Sequence, residues 1–325
     1  MSAQADTTKQ RDTEKRKNME QPNNETTEEK TIKKKIVFVN SFKGGTGKTT
    51  FSFANCIDAL FNAKKKKEVE YENVIYLDLD ILGTATSYLF NEDQLSDENS
   101  FNRTGKPKKI VLKLNRRQPG TLYVGYISPE MKNNSLYGES YFLNHRKLAE
   151  ELFIGRVEKY IEKQMSKKVS SLIVIDCAPG FGATEQSILE YCCRKFSRAE
   201  VELQEMYLVT LDSAHVEKCI QCLKDNKKIV SQRERSIRLV VNDVQNYCDY
   251  LTRQGNDCLA ELDKIMQSIY QNSSDLNMTF YLWKYSEDIA LNSIHTRKKS
   301  LENHVGDYLL TNANYLEWRE GNGFV

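Results

Sequence analysis

An α/β fold, with a mostly parallel central sheet and helices on both faces, is what this sequence predicts, on three observations. Short apolar runs alternate with longer segments of helical apolar spacing, the pattern of strands joined by crossover helices. A glycine-rich run sits where the first strand gives way to the first helix. Three later apolar runs each end in Asp or Asn, so polar groups gather at the carboxyl ends of strands, where open α/β sheets bind ligands.

Taken in order, Met1–Thr31 is a mixture of Lys, Arg, Glu, Gln, Asn and Thr with almost nothing apolar, and reads as a disordered polar tail. It has no hydrophobic stretch of the kind found in a signal peptide or a membrane span. The remainder, 32–325, is long enough to bury one large core. Lys35–Asn40 reads as a buried strand, Ser41–Thr50 as a loop with a helix beginning near Lys48, and Phe51–Leu60 as the body of that helix. Further strands are expected at Val74–Asp78, Leu122–Ile127, Ser171–Asp176, Met206–Leu211, Ser236–Asn242 and Met278–Trp283. Intervening helices are expected at Leu143–Met165, Ala183–Cys193, Ala214–Val230 and Cys258–Tyr270.

The loop carries the chemistry. Its residues read Lys43-Gly44-Gly45-Thr46-Gly47-Lys48-Thr49-Thr50. Glycines let successive backbone N–H groups turn inward around a polyphosphate, and a helix N-terminus adds roughly half a positive charge. In such a loop Lys48 neutralises β/γ-phosphates and the Thr49 hydroxyl reaches Mg²⁺. A phosphate loop also calls for a later strand that ends in a carboxylate near the metal, and Asp176 before Pro179-Gly180 fits. Asp78 and Asp80, at i and i+2 of a strand end, can address one site; alternatively they close a strand at a solvated edge. Asn242 has an amide suited to a purine edge, although Asn after a strand is also an ordinary turn residue.

The pattern K-G-G-x-G-K-T-T, with Phe42 where the ordinary motif has Gly and with a second lysine at Lys43, resembles the deviant Walker A loop of the ParA/MinD superfamily of P-loop ATPases. The run Asp78-Leu79-Asp80-Ile81-Leu82-Gly83-Thr84-Ala85-Thr86 is similar to that family's second signature, and Ala178–Gly182 to its switch segment. The likeness is closest to ParA and extends over about Lys34–Val244. It implies ATP and Mg²⁺ as cofactors, and a homodimer formed through the nucleotide, in which Lys43 reaches the partner's ATP. It further implies Gly44, Gly45, Thr46, Gly47, Lys48, Thr49 and Thr50 around the phosphates and Asn242 at the adenine. Thr49, Asp78 and Asp176 would serve the metal, and Asp80 the attacking water. Ile81 and Leu82 replace the family's usual Pro-Gln, which leaves open an accessory subunit that holds ATP with little or no turnover.

Other features are less directive. The chain is nearly balanced in charge, with 47 basic and 45 acidic residues for a net +2. Asn91–Gln118 matches no element of the family core and turns basic in its second half (Arg103, Lys106, Lys108, Lys109, Lys113, Arg116, Arg117). It reads as a solvated surface insertion, or else as a surface for nucleic acid or a protein partner. Arg297-Lys298-Lys299 is a second basic cluster. His215, Cys219 and Cys222 fall on one helix face at a spacing able to bind zinc, or more simply as core residues. The C-terminal Asn314–Val325 is short, mixed in charge and broken by Gly, unlike an in-plane lipid anchor. The expectation is a cytoplasmic ATPase switch that handles DNA or a protein assembly, with an activator or cargo of unknown identity and no membrane partner.

Overall fold

The computed structural model describes residues 32–61, 71–80, 86, 95–112, 119–127, 153–180, 182–210, 212–229, 236–242, 249–250, 252–273, 276 and 278–282. They belong to the unit Ile32–Val325. Ile81, Leu82, Phe181, Trp283, the 286–299 segment, the C-terminal run and the first part of one expected helix, 143–152, lie outside the described residues.

Eight strands form one sheet: β1 (Lys34–Ser41), β2 (Asn73–Asp78), β3 (Lys108–Leu112), β4 (Gly120–Gly125), β5 (Ser171–Pro179), β6 (Glu202–Thr210), β7 (Ser236–Asn242) and β8 (Met278–Leu282). Their spatial order is β3-β4-β2-β5-β1-β6-β7-β8. Every pairing is parallel except β3 with β4. Five longer helices accompany them among the described residues, α1 (Lys48–Phe61), α2 (153–165), α3 (Ala183–Lys195), α4 (Ser213–Ile229) and α5 (Cys258–Ser273), besides short helical turns at Asp97–Asn99 and Phe101–Thr104.

β1 is central, and its side chains alternate between two cores. Val37 and Val39 join Phe51, Phe53, Cys56 and Ile57 of α1 on one face. Ile36 and Phe38 join Val157 and Ile161 of α2 and Ile188 and Leu189 of α3 on the other. Tyr207 pairs with Asn40, two residues beyond Phe38, so the third cluster, with α4 and α5, shares that second face. Burial on both sides explains why β1 and β5 read as continuous apolar runs. It also fixes a crevice: β1 feeds α1 on one face while β5 feeds α3 on the other, so the loops part above the sheet.

Two readings of the sequence need correction. Within the expected insertion 91–118, the described part, 95–112, is not simply solvated. It supplies β3, and Leu95, Phe101, Ile110 and Leu112 are buried. Phe101 N–H donates to the Tyr126 carbonyl at 2.8 Å, and Tyr126 Oη donates to the Ser96 carbonyl at 2.6 Å. The second concerns β6, which starts at Glu202 rather than Met206, because Gln204 and Glu205 lie fully inside the sheet despite their polarity.

Candidate functional site

The site is built where β1, β2 and β5 end side by side. Ser41 closes β1 and turns the chain. Its Oγ donates to the Lys43 carbonyl at 2.9 Å and accepts from Lys43 N–H at 3.2 Å. Gly45 and Gly47 then take φ of 75° and 86°, a region that a β-carbon makes costly. Thr46 is buried, and its carbonyl accepts Asn242 Nδ2 from the end of β7 at 2.9 Å. Gly180 N–H, just past β5, donates to the Ser41 carbonyl at 2.8 Å and so ties the segment after β5 to the loop.

Lys48 opens α1 and is buried in spite of its charge. Phe51 N–H bonds the Gly47 carbonyl at 2.9 Å, so helical bonding begins there, and the N–H groups of Lys48, Thr49 and Thr50 belong to the first turn, which has no intrahelical acceptors. A loop with left-handed glycines, a first helical turn and a buried lysine together form an anion cradle. A β-carbon placed on Gly44 or Gly45 would meet nothing within 4 Å, so the space before the loop is open.

Asp78, the last residue of β2, and Asp176, three residues before the end of β5, stand directly opposite one another in register, and both are buried. Asp78 Oδ1 accepts Asp80 N–H at 2.8 Å, and Asp78 Oδ2 accepts the Thr86 hydroxyl at 2.5 Å. Asp176 Oδ1 accepts Ser52 Oγ at 3.3 Å, Asp176 Oδ2 accepts Tyr76 Oη at 2.9 Å, and the Thr49 hydroxyl bonds the same carboxylate. Tyr76 Oη and Thr86 Oγ1 lie 3.0 Å apart. Burial first, then the charge of Asp78, push the Asp176 carboxyl up to about 7, against the pull of Thr49, Tyr76 and Lys48.

This donor set fits a hard divalent cation. Two buried carboxylates on adjoining strands and a hydroxyl at a helix start are oxygen ligands of the kind Mg²⁺ takes, and a cation would offset the burial and the repulsion that raise Asp176. Asp80 lies two residues past the end of β2 and is half-buried, so strand alternation no longer fixes its direction. Lys43 is exposed at the mouth of the loop, where its Nζ lies 3.8 Å from Asp212 Oδ2. A pair this exposed is worth about 0–1 kcal/mol and holds Lys43 only loosely.

The motif reading missed four residues that the fold brings to the site: Ser52, Tyr76, Thr86 and Glu185. Glu185 is buried in the first turn of α3, and its Oε1 accepts Ala178 N–H at 3.0 Å, holding the start of the segment after β5. The signals were present but faint. Tyr76 precedes Asp78 by two and shares its strand face. Glu185 stands three after the N-cap residue Gly182, the place of the acid in a capping box. His215, Cys219 and Cys222 lie on α4, away from the paired carboxylates of β2 and β5. Cys219 packs fully buried with Val216, Ile220 and Leu223, and burial first, then the charge of Lys43, hold the His215 imidazole below its usual range. Among the described residues no group of three His, Cys, Asp or Glu could hold a metal ion, and no helix is long and apolar enough to cross a membrane.

No family model and no curated protein matches the chain. Solved structures do. A protein described as a plasmid partition protein of Borrelia burgdorferi B31, bound to AMPPNP, is 16% identical with a TM-score of 0.44, covering 87% of this chain and 98% of its own. A variant of Cyanothece McdA in complex with ATP is 12% identical with a TM-score of 0.45, covering 89% and 100%. The ParA of pNOB8 is 14% identical with a TM-score of 0.48, covering 86% and 98%. At TM-scores below 0.5 these likenesses lend no weight to any role, which has to stand on the chain's own residues.

Proposed function

We propose that this chain is an ATP-binding and ATP-hydrolysing switch that dimerises on ATP and releases on hydrolysis, controlling the partition or positioning of DNA or of a protein assembly. One observation carries the reading: a glycine-turned loop with Lys48 buried at its base, set against the paired carboxylates Asp78 and Asp176.

In this mechanism backbone N–H groups from Gly44 to Thr50 receive the phosphate oxygens, and Lys48 offsets the charge that builds on them. Thr49, Asp78 and Asp176 would hold Mg²⁺, which would supply charge neutralisation for phosphoryl transfer. Phosphoryl transfer asks the protein mainly for positioning and electrostatics, and Asp80 orients the water. Lys43, exposed beside the loop, reaches the nucleotide of a second copy. Asn242 contacts the adenine while its amide braces Thr46. Ala178–Gly180, tied to Ser41 and Glu185, senses the γ-phosphate and passes its presence to α3.

The test is ATP turnover with Asp80→Ala and Lys48→Ala. Asp80→Ala should abolish hydrolysis and keep ATP binding, and Lys48→Ala should lose both. Wild type that binds ATP without turning it over would favour the accessory-subunit reading. An unchanged rate in Asp80→Ala would remove Asp80 from the mechanism.

A further inference from the structure

Tyr76 stands out on its strand face. β2 buries Val74 and Tyr76 in the same core as α1, and Tyr76 is fully buried there among Val, Leu, Ile and Phe side chains. A hydroxyl in such surroundings needs partners, since leaving it unbonded would forfeit its hydration without replacement. Its partners are Asp176 Oδ2 at 2.9 Å and Thr86 Oγ1 at 3.0 Å, and Thr86 in turn donates to Asp78 Oδ2. Phe53 of α1 meets the ring edge-on, with centroids 6.3 Å apart and planes at 84°, so the helix that starts at the phosphate loop also holds this ring. One strand residue therefore bonds one carboxylate, neighbours the hydroxyl that bonds the other, and packs against α1.

We propose that Tyr76 is a positioning residue for divalent-cation binding, its hydroxyl fixing Asp176 directly and standing 3.0 Å from the Thr86 hydroxyl that fixes Asp78. The proposal rests on the ATP-switch reading and names a residue which that reading does not use. With Ser52 on Asp176 Oδ1 and Asp80 N–H on Asp78 Oδ1, these bonds leave each carboxylate anchored at both oxygens. The pair is thereby held rigid before the metal arrives, and preorganisation of this kind shows in metal affinity.

The experiment measures the Kd of a fluorescent ATP analogue in EDTA and in Mg²⁺, for wild type, Tyr76→Phe, Thr86→Val and Thr86→Ser, with urea unfolding to confirm that each is folded. The quantity read is the ratio of the two Kd values, which a purely structural loss would not move. It should fall about threefold to tenfold in Tyr76→Phe, as expected for one lost hydrogen bond. Thr86→Val should repeat the fall and Thr86→Ser should restore it. A ratio unmoved in folded Tyr76→Phe and Thr86→Val overturns the role of Tyr76 and leaves the switch standing. A wild type without any metal-dependent nucleotide binding overturns both.

Discussion

Replacing Gly182 with alanine would place a β-carbon 2.4 Å from Glu185 Oε2. The backbone itself accepts alanine, since Gly182 sits at φ −79°, ψ 162°, an ordinary extended N-cap conformation. Crowding alone opposes the change. Glu185 is buried, so its carboxylate has to swing away and give up the bond to Ala178 N–H at 3.0 Å. Loss of that bond costs about 1–3 kcal/mol, and an N-cap alanine adds roughly 0.5–1 kcal/mol that does not depend on Glu185. Urea unfolding of Gly182→Ala, Glu185→Ala and the double variant separates the two terms. The double variant should be only about 0.5–1 kcal/mol less stable than Glu185→Ala alone, because the clash has no target left. Single-variant losses that add in full would refute the contact as the reason for glycine at this position.

Three further outcomes follow from the site. The Asp176 carboxyl is raised by burial and by Asp78, so without metal its contribution to stability is present at low pH and is lost as pH rises through about 7. Asp176→Asn, which is uncharged throughout, should therefore flatten that part of the pH–stability profile and match or exceed wild type in metal-free buffer near about pH 8, read by thermal unfolding. The same carboxyl must lose its hydrogen before both acids are charged. Mn²⁺ binding should thus weaken in wild type between about pH 8 and pH 6, followed by titration with paramagnetic detection. Asn242→Ala should weaken inorganic tripolyphosphate as well as ATP by a few-fold, roughly one hydrogen bond, because the amide braces the Thr46 carbonyl. Tripolyphosphate affinity left unchanged would make Asn242 a reader of the base alone.

The legible parts of this chain are those whose physics is local or doubly buried. β1 and β5 lie between neighbours on both edges and between cores on both faces, which forces continuous apolar runs. The glycine loop is legible because left-handed turns demand glycine at Gly45 and Gly47, and because Lys48 and Thr49 follow without a gap. β3 escaped notice because Lys108 and Lys109 give it the charged look of a solvated segment, and lysines are usual on an edge strand. The first half of β6 was hidden by Gln204 and Glu205, polar residues whose burial only the assembled sheet reveals. At the site the motif residues lie next to one another in sequence, whereas Ser52 and Tyr76 meet Asp176 across 124 and 100 positions. No window of sequence contains such a contact.

The central claim, a dimer made by ATP, is tested most directly by light scattering with ADP·Mg²⁺ and with ATP·Mg²⁺, on wild type and Lys43→Ala. The account predicts a monomer with ADP, a dimer with ATP, and a Lys43→Ala variant that binds ATP but stays monomeric. A monomer in every state, or a dimer indifferent to the nucleotide, would contradict it.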